Sequence, residues 1–144
     1  MSPVNPKQLR ILSTVLLAFA VAQAGLGSGY LDNVRDGVPV GGPVDPLLIA
    51  HVTNAFAVLV LTILAAVFGF SYRRGGGPGW TFYLPLIMVA MAAIEITLGF
   101  AQVRGGHVFW GVLYLCVVTI YCSYTWRLRP HQPVPPKAAA STAR

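Results

Sequence analysis

Residues 47–70 read LLIAHVTNAFAVLVLTILAAVFGF, a run without one charged side chain. As a helix rising about 1.5 Å per residue it crosses the ~30 Å hydrocarbon layer of a bilayer. Three further stretches qualify, at about 11–28, 80–103 and 108–126. The expected fold class is therefore all-α, an integral membrane four-helix bundle over 1–129, with the lipid bilayer as its surroundings. Composition agrees: of 144 residues, 56% are hydrophobic and only 10% charged. A soluble domain carries about 25% charged residues, and a disordered chain is poor in Val, Leu, Ile and Phe, so both classes are excluded.

The first stretch follows Lys7 and Arg10, and Ala22-Gln23-Ala24 looks like a signal-peptide cleavage site. Its apolar run is longer than a usual signal core, so a retained helix is expected. Ala20/Ala24 and Gly25/Gly29 form small-xxx-small pairs there, a pattern of close helix packing.

Charge position fixes an expected orientation. Lys7, Arg10, Arg73, Arg74, Arg127, Arg129, Lys137 and Arg144 fall on one side, and only Arg35 and Arg104 on the other. The positive-inside rule makes the first side cytoplasmic, giving N-in/C-in topology in a bacterial or archaeal cytoplasmic membrane. The net charge of +6 is then a topology signal, and no nucleic-acid partner is expected. The loop Gly29–Pro46, with Asp32, Asp36 and Asp45, is expected to be an irregular outer lid, and 75–78 (GGGP) a flexible breaker. Residues 130–144, with His131, form an expected disordered cytoplasmic tail. Cys116 and Cys122 lie about 240° apart on one helix and exclude a disulfide framework.

The chemistry-bearing residues inside the membrane are few. His51 opens the second stretch and His107 the fourth, two helices that run in the same direction. From His51 to Arg73 is 22 positions and from His107 to Arg127 is 20, so the imidazoles differ in depth by about 3 Å. One face of the second helix carries His51, Ala55, Val58, Thr62 and Gly69. The matching face of the fourth carries His107, Gly111, Tyr114, Val118 and Thr125. Small residues one turn below each histidine leave room for a flat ligand. Two facing imidazoles suit a six-coordinate haem iron. Zinc would want three or four ligands. The plain alternative is that the histidines are polar caps or headgroup contacts; their matched depth weighs against it.

An internal repeat supports the pairing. Gln23-Ala24-Gly25-Leu26-Gly27 precedes His51-Val52, and Glu95-Ile96-Thr97-Leu98-Gly99 precedes His107-Val108. It implies two pseudo-symmetric helical hairpins, each giving one ligand. Glu95, the lone glutamate, is buried and is a candidate for catalysis or for binding a histidine, a cofactor or a quinol. A plain interhelical bond to Gln23 is the alternative. Arg104 and Arg35 could pair with haem propionates, and Tyr30, Asn54 and Trp110 could line the same pocket. The expected cofactor-binding set is His51, His107, Arg104, Asn54, Gly111, Gly27 and Gly99, with the two histidines on the iron.

Four helices, histidines opening the second and fourth, and Leu-Gly near the ends of the first and third resemble one four-helix half of the heme A synthase family, over about 11–127. That resemblance implies haem binding by His51 and His107. The family's catalytic half has a glutamate three residues before its first ligand, where this chain has Leu48, and many members carry a cysteine pair in the first outer loop. The likeness therefore implies haem holding more than oxidation of a haem methyl group. The expected function is a b-type haem protein in electron transfer, or an accessory to a respiratory or haem-processing complex. Haem b is its cofactor, quinone a second candidate, and a membrane redox partner or homo-oligomer is expected. The alternatives are a compact heme A synthase-like enzyme acting as an oligomer, and a cofactor-free structural subunit.

Overall fold

The computed structural model describes residues 4–32, 34–35, 38–39 and 45–129. Helix α1 spans Pro6–Asp32, α2 Pro46–Arg74, α3 Trp80–Phe100 and α4 Arg104–Trp126. All four are long and apolar enough to cross a membrane. The two-residue strands β1 (Val34–Arg35) and β2 (Val38–Pro39) pair antiparallel between α1 and α2.

Local chemistry sets the helix starts. Asn5 and Gln8 close a reciprocal capping box, 2.9 and 3.1 Å, ahead of Pro6. Asp45 caps α2 by a single bond before Pro46, accepting from the Leu47 N–H at 2.7 Å. Helix α3 stops three residues short of the expected 103. Ala101 is its C-cap and Gln102 takes a left-handed φ of 58°, which turns the chain into α4. Helix α1 runs past the expected 28, so Gly29–Asp32 are helix rather than lid. Away from water a backbone must close its own hydrogen bonds, and this outweighs the ~1 kcal/mol propensity cost of each glycine. The rest of the lid reading, for residues 33, 36–37 and 40–44, and the tail at 130–144 lie outside the described residues.

Each helix packs on its sequence neighbours, and α1 closes the ring against α4. Short connections make neighbours antiparallel, so α2 and α4 are parallel and face each other across a diagonal. At the far end from the histidines Arg10 latches the closure. Its guanidinium donates to the carbonyls of Thr125 and Leu128 and lies 5.7 Å from the Trp126 ring centre. Ser13 Oγ and Thr125 Oγ1 stand 2.6 Å apart beside it. Helices α2 and α3 meet backbone to backbone at Gly69, where any Cβ would run into the Thr81 carbonyl. Gly25 faces open space and is no packing glycine, contrary to the small-xxx-small expectation; the tight contacts of α1 fall on Gly27.

The core is Leu16, Ala20, Val58, Ala65, Met88, Ala92, Tyr114, Val118 and Tyr121. Its register is regular. The buried residues of α1 are Leu9, Ser13, Leu16 and Ala20, and those of α3 are Thr81, Pro85, Met88 and Ala92, each 72 positions later. Those of α2 are Val58, Thr62, Ala65, Ala66, Gly69 and Tyr72. Tyr114, Val118, Tyr121, Cys122, Thr125 and Leu128 follow them at a constant 56. The outward faces are apolar: Ile11 is 57% exposed and Phe109 63%. Such faces are stable against lipid, not water.

Candidate functional site

Neither histidine opens its helix, as the sequence reading had it. His51 is the sixth residue of α2 and His107 the fourth of α4, and both are half-buried. Their centroids are 6.0 Å apart with planes at 84°. The depths inferred from arginine spacing thus bring together two rings on different hairpins.

A glycine backs each ring. A Cβ on Gly27 would stand 3.0 Å from His51 Cε1, and one on Gly99 3.1 Å from His107 Cε1. The missing side chain gives each ring room to lie against the neighbouring helix, and a methyl group there would crowd it.

The polar partners differ. His107 Nδ1 lies 3.0 Å from the Glu95 carbonyl and 3.1 Å from Glu95 Oε1, both acceptors. The ring proton is therefore on Nδ1, and the Nε2 lone pair is left free, the usual arrangement of a metal-ligating imidazole. His51 faces a carboxamide instead. Asn54 donates to Gln23 Oε1 at 2.8 Å and to the Phe19 carbonyl at 3.0 Å. Gln23 then turns its Nε2 to His51 Nε2, 3.3 Å away, so it donates and the ring proton sits on Nδ1. That Nδ1 is buried without a hydrogen-bond partner. A buried unpaired donor costs about 1–3 kcal/mol.

Around the rings lies a cavity of about 520 Å³, walled mainly by apolar side chains of all four helices. Of the expected site residues, His51, His107, Glu95, Arg104, Gly111, Gly27 and Gly99 line it, and so does Tyr30. Asn54 stands behind Gln23 and does not. Trp110 donates to the Met91 carbonyl at 3.2 Å and is also outside the lining. The side chain of Arg35 falls outside the described residues.

Of the two readings of Glu95, the bond to a histidine holds: it pairs with His107, and the Gln23 amide is taken by His51 and Asn54. One expectation needs correction. The space above Gly111 is filled by that carboxylate rather than kept for a flat ligand: a Cβ there would stand 2.6 Å from Glu95 Oε1. Sequence reasoning also missed a contact beside the cavity. Thr62 Oγ1 donates to the Val58 carbonyl at 2.7 Å and accepts from Tyr114 Oη at 2.5 Å. Position in the repeat could have predicted Gln23 as the partner of His51, since it stands where Glu95 stands before His107.

Cys116 is exposed and Cys122 buried, and both are free thiols, as expected. Among the described residues no cluster of three or more His, Cys, Asp or Glu side chains suits a bare metal ion. No protein-family model, curated protein or solved structure matches this chain.

Proposed function

We propose that this chain is a membrane b-type haem protein whose iron is held by His51 and His107. The observation that carries the reading is the 6.0 Å ring separation across the α2/α4 diagonal. An imidazole nitrogen binds a transition metal at about 2.0–2.1 Å, so two rings sharing one metal end-on stand roughly 6 Å apart. The free Nε2 lone pair of His107 and the apolar cavity around both rings fit the same group. Haem b bound there supplies a one-electron couple. Gly27 and Gly99 hold the rings at ligating distance, the apolar wall excludes water, and Arg104 pairs with a propionate.

The bundle is, on this proposal, two hairpins related by a pseudo-two-fold axis, each giving one ligand. The constant register of buried residues and the matched glycine contacts support it. Both termini face the cytoplasm of a bacterial or archaeal cell, and the haem lies near the outer face, as the distribution of arginines and lysines favours. The haem would take electrons from a quinol, which leaves as quinone, or exchange them with a neighbouring subunit of a respiratory or haem-processing complex. A second reading, a heme A synthase-like enzyme acting as an oligomer, draws on one observation: Glu95 puts a carboxylate, with Oε2 buried and unpaired, in the cavity beside His107.

The test is the visible spectrum of protein purified in detergent and supplied with haem. A reduced α-band of bis-imidazole haem is expected, lost in both His51→Ala and His107→Ala. A wild-type protein that stays colourless in excess haem overturns the proposal. Turnover of added haem O would favour the enzyme.

A further inference from the structure

The two halves of the bundle keep the same buried positions, and three of the places where they diverge around the rings bear directly on the histidines' polar partners. Gln23, Asn54 and Ala55 in the first half stand where Glu95, Trp110 and Gly111 stand in the second. The three changes act together. Asn54 clamps Gln23 by its Oε1, whereas Trp110 bonds the Met91 carbonyl and leaves Glu95 unclamped. Gly111 removes the side chain that would otherwise collide with Glu95 Oε1 at 2.6 Å. The carboxylate can then lie 3.1 Å from His107 Nδ1.

We infer that Glu95 is a positioning residue that makes the two ligands unequal, with Gly111 as the gap that admits it. The inference rests on the haem reading above. A carboxylate accepting the Nδ1 proton fixes the ring's tautomer and orientation and pushes electron density toward Nε2, making His107 the stronger donor to iron. A stronger donor favours the ferric state and lowers the reduction potential. His51 gains no such push, because Gln23 donates to its ring rather than accepting from it.

The experiment is a redox titration of haem-loaded protein at one pH and salt concentration, with ferric EPR of the same samples. Glu95→Gln replaces the carboxylate beside His107 Nδ1 with a neutral amide. It should keep its haem and favour the ferrous state by about tenfold, a rise of about 59 mV for one electron. The EPR g-values should move with it. Gly111→Ala, which crowds the carboxylate away from the ring, should shift the potential in the same direction by less. Gln23→Glu should shift it the opposite way. Glu95→Gln with full haem, unchanged potential and unchanged g-values would overturn the inference. If that variant loses its haem, an unshifted Gly111→Ala overturns it instead. A wild type without pigment is a separate result that removes the haem reading itself.

Discussion

Replacing the glycine behind either histidine perturbs the site with the least ambiguity. Alanine at 27 puts a methyl group 3.0 Å from His51 Cε1, closer than ordinary contact, so the ring must recede by a few tenths of an ångström. A displacement that pushes the imidazole off its rotamer costs about 1 kcal/mol. Since 1.4 kcal/mol is a tenfold change, haem affinity should fall about fivefold. Gly99→Ala should do the same to His107, because its methyl would stand 3.1 Å from Cε1. Leucine at either site occupies the ring's own space and should abolish pigment. Gly25→Ala is the control, since its Cβ meets nothing within 4 Å. Haem titration into apoprotein, followed by absorbance, reads all five variants. Haem binding at wild-type affinity by both leucine variants would refute the assignment of these rings as ligands.

Three other outcomes are expected. Gly69→Ala forces α2 and α3 apart at Thr81 and should cost about 1–3 kcal/mol in overpacking, seen as a lower denaturant midpoint in detergent. Tyr114→Phe removes the bond to Thr62 but leaves Thr62 bonded to Val58, so stability should fall by only about 1 kcal/mol. In a Cys116→Ser/Cys122→Ala background, Gly105→Cys should label from outside intact cells and Arg129→Cys only after permeabilisation. The reverse pattern refutes the N-in/C-in orientation.

The existence of four spans was legible because apolar run length is a direct consequence of bilayer thickness. The pairing of His51 with His107 was legible too, since rise per residue converts arginine spacing into depth. Helix ends were less so. The first apolar stretch ends at 28 and puts Gly29 in the lid, yet α1 continues to Asp32, because tertiary and lipid surroundings outweigh propensity. The turn at Gln102 uses a residue type without a strong turn signature. The sequence leaves the partner of Glu95 open between a histidine and Gln23, because depth alone cannot say which helices are neighbours. Helices α1 and α3 occupy opposite corners, so Gln23 on α1 packs toward α2, and Glu95 on α3 packs toward α4. The repeat held that information, in the shared place of Gln23 and Glu95 before the two histidines.

The diagonal placement of the histidines has a consequence for assembly. His51 belongs to the α1–α2 hairpin and His107 to the α3–α4 hairpin, so neither hairpin alone contains a pair of rings. Any molecule gripped by both is a cross-brace between the two hairpins. At a hundredfold excess over its dissociation constant it stabilises the docked bundle by about 2.7 kcal/mol by mass action. Two hairpins expressed as separate chains should therefore find each other more firmly when such a molecule is supplied. Colour would then report completed docking, not merely the presence of protein.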